Sequence, residues 1–420
     1  MSTVWPLSTW QRFMVAGEST RPGRATDPWF TVNAVLLIAG ALDLRILVAA
    51  ANDLVARHDV LRARVDVDAG TQVVEHTVPA SVDLLDGWSG SAEELLHHPV
   101  PAATVRTPLV LRLVRCLPRK HLLAVHLHHL FGDPVTLWRI LRDLGDLYAA
   151  RCGAPRPEPP SGQYGEYAAY EAAVVDAYEA EAARWWHSAL TDVALAAPSP
   201  EATGPPFALR RQVLPRDDFA RLQAWSRTRR GTPFAGLLAV LTEQLAPYAP
   251  AGGGDHLLFN TLFERRDNPR WRTMAGPCLA PAYVAMPLTA TAELRAVALT
   301  LSMAARYSRY PTWTLDRVAG RGPDPARFVP FVELIPQLRP DTIPFGRSSA
   351  VVAAAAGPPD VGETSFLGIR FRTAVNGTLT AHVRGNGIGW TGQAVRTVLD
   401  GMPGRVRDVT AAAPSRSQRT

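Results

Sequence analysis

The densest set of chemically able side chains in this 420-residue chain is His126-Leu127-His128-His129-Leu130-Phe131-Gly132-Asp133. Side chains alternate in an extended segment, so His126 and His128 share a face and Asp133 could add a carboxylate to a metal site. A metallo-hydrolase spaces its ligands His-x-His-x-Asp-His, and the position that needs aspartate is Leu130. The metal reading fails on that spacing. A plainer reading makes His126 and His128 polar residues whose ring nitrogens are satisfied by backbone groups, and His126 is read that way. If the pleat persists, His128 faces away from His129 and steadies the loop. Other reactive motifs are missing. Ser8 and Ser348-Ser349 lack the Gly-x-Ser-x-Gly of a nucleophile elbow. Gly252-Gly253-Gly254 lacks the lysine of a phosphate-binding loop and is a plain turn.

The cluster must be held by its neighbours. Leu109 to Cys116 and Leu122 to His128 read as core strands joined by a turn around Pro118. Val135 to Ala150 reads as an amphipathic helix, with Leu137, Ile140, Leu141, Leu144, Leu147 and Tyr148 on one side. The histidines therefore sit where a buried strand opens into a loop before a helix, a common place for catalytic groups. Upstream, Trp29 to Ile38 reads as a strand, and Asp43 caps a helix to about Arg57. Short strands, Leu61 to Val67 and Gln72 to Val78, flank the turn at Asp68-Ala69-Gly70. A stiff Pro-rich crossing at 153–162 precedes a long helix from about Glu166 to Leu190, and Ala196 to Pro206 is a second loop. Beyond it, strands (Phe207 to Leu214, His256 to Phe263, Phe366 to Val375, Leu379 to Val383) alternate with helices. The helices are Asp217 to Thr228, Pro233 to Leu245, Glu293 to Arg306 and Gly392 to Met402, and a polar, frayed tail follows from Ala411. The pattern predicts two α/β (α+β) lobes of similar size, cut between about 153 and 206 and assigned as 1–178 and 179–420.

Composition narrows the class. At 47 % hydrophobic and 20 % charged residues the chain can bury sizeable cores, which excludes disordered and fibrous classes. Cys116, Cys152 and Cys278 are scattered, with neither metal spacing nor an even disulfide set, as in a reducing cytoplasm. No secretory signal is visible at Met1 to Trp10, and Asp43 and Arg45 interrupt the most apolar stretch, Ala34 to Ala51. A cytoplasmic protein away from the membrane is expected. Of 44 basic residues only Lys120 is lysine, and the net charge is +6. That balance suits an acidic partner. No zinc-finger spacing, helix-turn-helix signature or Arg-rich helix points to nucleic acid.

His128-His129-Leu130-Phe131-Gly132-Asp133 resembles the His-His-x-x-x-Asp-Gly motif of nonribosomal peptide synthetase condensation domains. The core from His129 to Asp133 is shared with chloramphenicol-acetyltransferase-like acyltransferases. Further blocks follow in the family's order. Leu7-Ser8-Thr9-Trp10-Gln11-Arg12 is similar to its opening Leu-Ser-x-x-Gln-x, and Arg57-His58-Asp59-Val60-Leu61-Arg62-Ala63-Arg64 to its Arg-His-x-x-Leu-Arg-x-Arg. Tyr164-Gly165-Glu166-Tyr167-Ala168 resembles Tyr-x-Asp-Tyr-Ala, and Trp186 to Leu190 resembles Trp-x-x-x-Leu. Thr232-Pro233-Phe234, with Leu237 and Leu238, resembles the helix start of the second lobe. Gly276-Pro277-Cys278-Leu279 stands where Gly-x-Phe-x-Asn-Thr is usual, without the Asn-Thr pair. The resemblance runs from about residue 5 to 402 and is strongest in the first 190 residues.

This resemblance implies two chloramphenicol-acetyltransferase-like lobes in a V with a tunnel between them. It also implies a free-standing, monomeric condensation enzyme of natural-product biosynthesis. The donor would be an acyl or aminoacyl thioester on the phosphopantetheine of an acyl or peptidyl carrier protein, with no bound cofactor. The acceptor would be an amine or hydroxyl, on a small molecule or a carrier. His129 would be the catalytic group, taking the nucleophile's proton or stabilising the tetrahedral intermediate; an ordinary histidine pKa of about 6.5 suits both. Asp133 would be structural, paired with Arg62, and His128 and Gly132 would support the loop. Pro134 replaces the motif's glycine, removing one backbone N–H while fitting the first turn of a helix. Asn260, Arg265 and Tyr164 are candidate substrate contacts, although a solvated loop is the preferred account of 260–268. The same fold also admits a coenzyme A-dependent acyltransferase, or a recruitment module that catalyses nothing.

Overall fold

The computed structural model describes residues 2–19, 27–28, 30–99, 107–250, 253–311, 329–335, 342–356, 367–374 and 376–411. These form two compact units. The first takes the described residues of 1–177, 264–279 and 338–361, and the second those of 178–263, 280–337 and 362–420. A single cut after residue 178 misses the two later segments, which return to the first unit through strand pairing and a buried ion pair.

In chain order the first unit starts with β1 (Thr3–Pro6), α1 (Thr9–Ala16), β2 (Thr31–Ala39) and α2 (Leu44–Arg57). There follow β3 (Ala63–Asp66), β4 (Thr71–Val74), β5 (Ser81–Leu84), α3 (Ala92–Leu96), β6 (Leu109–Leu117), β7 (Lys120–His128) and α4 (Pro134–Arg151). Helix α5 (Tyr164–Thr191) begins in the first unit and ends in the second. The second unit adds β8 (Leu195–Ala196), β9 (Phe207–Leu214), α6 (Arg216–Thr228), α7 (Pro233–Leu245), β10 (His256–Glu264) and β11 (Leu279–Pro287). Then come α8 (Leu294–Arg306), β12 (Phe331–Ile335), β13 (Ile343–Phe345), β14 (Ser348–Ala356), β15 (Leu367–Thr373), β16 (Leu379–Gly385) and α9 (Gly392–Ala411).

The first unit's main sheet runs β13-β14-β2-β7-β6-β5, antiparallel except for the parallel β5–β6 pair. Its central strands β2 and β7 carry nearly continuous apolar runs because they are buried on both faces. A tight hairpin joins β6 to β7, with Leu117 opposite the exposed Lys120. The second unit's sheet runs β11-β10-β12-β15-β16-β9, with β8 beside β10. One face of it packs residues such as Val332, Ile369, Phe371, Ala381 and Val383 against α6, α7 and α9.

Most expected elements appear, with shifted ends. The strand expected from Trp29 starts at Thr31, and Trp29 lies outside the described residues. Phe366, Val375 and the tail from residue 412 also lie outside them. Helix α9 does not stop at Met402. Val395, Val398, Leu399, Met402, Val406 and Val409 keep a helical apolar stripe across Pro403, and their burial outweighs one lost hydrogen bond. Among the described residues no helix is long and apolar enough to cross a membrane.

Candidate active site

Strand β7 delivers the histidines. It ends where the His128 N–H donates to the Pro108 carbonyl (2.8 Å) and the His129 N–H to the Phe30 carbonyl (2.7 Å). His126, between Asn33 of β2 and Val110 of β6, is 3 % exposed. Its Nε2 is buried without a hydrogen-bond partner, so the expected backbone satisfaction is not found there. Burial, aided by the charges of Arg112, His98 and His97, lowers its pKa to about 3, so the ring stays neutral. His128 is the ring that the backbone holds. Its Nε2 lies 2.9 Å from the Asp27 carbonyl and must donate, while its Nδ1 accepts the Leu130 N–H at 3.2 Å. Burial lowers its pKa despite the opposing effect of Asp27.

His129 is held from three sides. Its carbonyl accepts the Trp10 indole N–H at 2.7 Å, and its ring lies between Trp10 (4.9 Å between centroids) and Phe30 (5.4 Å). Its Nδ1 is 2.7 Å from the Gly132 carbonyl. A carbonyl only accepts, so Nδ1 carries a proton, and whenever the ring is neutral its basic nitrogen is Nε2. Trp10 is placed by α1, whose start is a capping box. Ser8 Oγ accepts the Gln11 N–H (3.2 Å), and the Gln11 side chain accepts the Ser8 N–H (3.0 Å). The opening Leu-Ser-x-x-Gln block thus has a physical role: it aims an indole at the histidine. Gly132 must be glycine, since an added Cβ would come 2.1 Å from Leu127 Cδ2.

Asp133 does not meet Arg62. It is fully buried and caps α4, its Oδ1 accepting the Thr136 N–H and hydroxyl at 2.7 Å each. Arg266 grips it with two nitrogens, each 3.1 Å from a different carboxylate oxygen, and the Cys278 N–H adds a 3.0 Å bond. Burial alone would raise the Asp133 pKa; the Arg266 charge and the bonds from Arg266 and Thr136 outweigh it and hold the group below its ordinary value. Arg266 also donates to the Gly276 carbonyl (2.6 Å), Thr136 Oγ1 (3.0 Å) and Glu264 (2.8 Å). Segment 264–279 is thereby fastened to the histidine loop. Arg62 instead donates to the Val55, Glu75 and His76 carbonyls, far enough along the fold to steady α2 against β4.

The remaining candidates separate. Pro134 is the first residue of α4, where its missing N–H costs the helix nothing. Tyr164 is fully buried, its hydroxyl engaged with Ser8 Oγ (2.6 Å) and the Pro277 carbonyl (3.0 Å), so it supports the loop rather than reaching a ligand. Arg265 donates to Asp267 at 2.8 Å. Arg266, in the segment expected to be solvated, is 8 % exposed. Asn260 lies in the second unit beside Phe331. Sequence reasoning did not single out Arg266, Thr136 or Trp10 individually as parts of the site. Among the described residues no group of three or more His, Cys, Asp or Glu is placed to hold a metal.

Similarities to known proteins fit this geometry. The chain is 25 % identical over 258 residues to tyrocidine synthase 2 of Brevibacillus parabrevis, covering 59 % of this chain and 7 % of that protein. It is 31 % identical over 170 residues to surfactin synthase subunit 2 of Bacillus subtilis (strain 168), covering 40 % of this chain and 4 % of that one. The chain therefore spans only a small part of these relatives. Among solved structures, SgcC5 from Streptomyces globisporus superposes with a TM-score of 0.73 at 18 % identity, covering 97 % of this chain and 98 % of that one. The X-domain in complex with OxyB from teicoplanin biosynthesis gives 0.72 at 19 %, covering 97 % and 93 %. The starter condensation domain of rhizomide synthetase RzmA, with C8-CoA and Leu-SNAC, gives 0.75 at 17 %, covering 97 % and 95 %. At these identities the likeness shows the shared mixed α/β fold alone. Residues 1–317 match the Condensation domain model, and the chain belongs to the condensation-domain family.

Proposed function

We propose that this protein transfers an acyl or aminoacyl group from a carrier-protein phosphopantetheine thioester to an amine or hydroxyl acceptor, in the cytoplasm. The observation that carries the reading is the 2.7 Å bond from His129 Nδ1–H to the Gly132 carbonyl, which leaves the lone pair on Nε2. The acceptor's N or O attacks the thioester carbon while Nε2 takes its proton. The tetrahedral intermediate then collapses, the C–S bond breaks, and the proton passes to the departing sulfur. A thioester arrives already activated, so alignment and one proton acceptor do most of the work. Trp10, Phe30 and Gly132 fix the ring, and Asp133 with Arg266 fixes the loop that carries it.

The test incubates the protein with acyl-carrier thioesters and candidate amines, read by intact mass. His129→Ala should cut turnover by roughly 10²–10⁴-fold, the usual scale of a general base, with unchanged circular dichroism. A fully active variant refutes the assignment. One observation favours a second reading, a module that recruits a partner enzyme without catalysis: Pro134 removes the backbone N–H that the motif glycine offers. Stable capture of a partner enzyme, with no transfer from any thioester, would select it.

A further inference from the structure

At the end of β7 remote from His129, a cleft opens between the start of α2 and the β6–β7 hairpin. Its volume is about 630 Å³, within the range of small-molecule sites. Leu42, Leu44, Leu117 and Pro118 form its apolar wall, and Asp43, Arg45, Arg115 and His121 are its polar groups. Register shows how the hairpin contributes two of them to one side. Lys120 and His121 are neighbours on β7 and so point to opposite faces. Arg115 pairs with His121 and Leu117 with Lys120, with a register shift between the two pairs. Cys116 is the extra residue of this bulge, and it brings Leu117 to the side of Arg115. Leu117 is 61 % exposed there.

The acidic group of the cleft is already employed. Asp43 caps α2, its Oδ1 accepting the Arg45 N–H at 2.7 Å and the Ile46 N–H at 3.3 Å, while its own N–H donates to the Tyr148 hydroxyl at 2.9 Å. The cations are not employed. The guanidinium groups of Arg45 and Arg115 are exposed and make no ion pair or hydrogen bond among the described residues. Two such charges against one carboxylate leave one positive charge in excess. Behind them His121 is 4 % exposed, with its Nδ1 buried and without a hydrogen-bond partner. Burial, then the Arg115 charge, lowers its pKa, so the ring is neutral at neutral pH and carries one N–H.

We propose that this cleft binds a small monoanionic amphiphile, its carboxylate held by Arg45, Arg115 and His121 and its apolar body against Leu42, Leu44 and Leu117. Guanidinium forks match carboxylate oxygens, and a buried nitrogen without a partner gains most from one. With its proton on Nδ1, His121 donates to the same carboxylate. A cation of the same shape meets two guanidinium groups and is rejected. The site lies at the other end of β7 from the histidine loop, so it stands or falls independently of the acyl-transfer reading.

Calorimetry on the full chain would titrate 4-phenylbutyrate, with 4-phenylbutanol and 4-phenylbutylamine as probes of charge. The carboxylate should bind more tightly than the alcohol, and the alcohol more tightly than the amine. Arg45→Ala and Arg115→Ala, both at exposed positions, should each weaken the carboxylate by about 10-fold, the scale of one charged hydrogen bond. Arg119→Ala removes an exposed cation of the same hairpin that does not line the cleft, and it should change nothing. Leu117→Ser should weaken carboxylate and alcohol alike. His121→Phe should weaken the carboxylate and spare the alcohol; if that buried change unfolds the protein, the two exposed arginine variants decide the matter. No saturable binding of 4-phenylbutyrate, or equal affinity for the amine, overturns the site. So do Arg45→Ala and Arg115→Ala proteins that bind like the parent, or an Arg119→Ala loss as large as theirs.

Discussion

Asp133 and Arg266 form a buried pair, so losing either partner strands a charge, at a cost of about 3–5 kcal/mol. In urea melts, Asp133→Ala and Arg266→Ala should each be severe, and the double variant little worse than one. Arg62→Ala should add to Asp133→Ala, because Arg62 serves separate carbonyls. Which arginine meets Asp133 was not legible. In a chain whose cations are nearly all arginine, spacing distinguishes none of them, and Arg266 arrives only because the segment after β10 folds back to the loop. The histidine motif was legible because its residues are local. The expectation for His128 holds and that for His126 does not, since alternation shows a shared face but not which ring finds a carbonyl. His126 also sets a pH dependence. Its folded pKa of about 3 lies below the unfolded ~6.5, so the unfolded chain binds more protons between them and stability falls with acid across that range. Asp133, lowered in the fold, adds its loss only as pH drops below its ordinary ~3.9. Thermal melts at pH 7 and pH 5 should differ in the parent and differ less in His126→Gln.

At the scale of elements, α4 joins stability to chemistry. Asp133 caps it and Pro134 opens it, while the same two residues border the histidine loop. Pro134→Gly should lower stability by about 0.4–1 kcal/mol, because the unfolded chain gains freedom. Under the proposed function it restores a backbone N–H beside the loop, and turnover with a carrier-bound donor should rise. Unchanged turnover would show that this amide is not aimed at the reacting carbonyl. Helix α4 and strands β6 and β7 could be read from apolar period and turn residues. Strands β11 to β14 could not: β14 is largely alanine and valine with no polar alternation, and its partner β2 lies some three hundred residues earlier.

Over the whole molecule, and under the proposed function, the net charge of +6 should govern encounter with the donor. Carrier proteins are usually acidic around the attachment serine, so kcat/KM for a carrier-bound donor should fall as salt rises. A short pantetheine thioester should show little change. Equal rates and equal salt response for the two would point to a coenzyme A-dependent reaction. Two units of similar size were legible from composition and breakers. The return of 264–279 and 338–361 to the first unit was not, because long-range pairing leaves no local mark.

The hairpin between β6 and β7 holds the chain's single lysine, Lys120, exposed at the start of the strand whose other end reaches the histidine loop. Nine extended residues separate the two ends by ~30 Å at ~3.3 Å per residue. Guanidinium groups ignore the active esters that acylate amines, so once the α-amino group is blocked a fluorophore or a surface tether attaches to one side chain only. Immobilised there, each copy is held at the end of β7 away from His129, and a dye at Lys120 reports from a fixed and remote vantage.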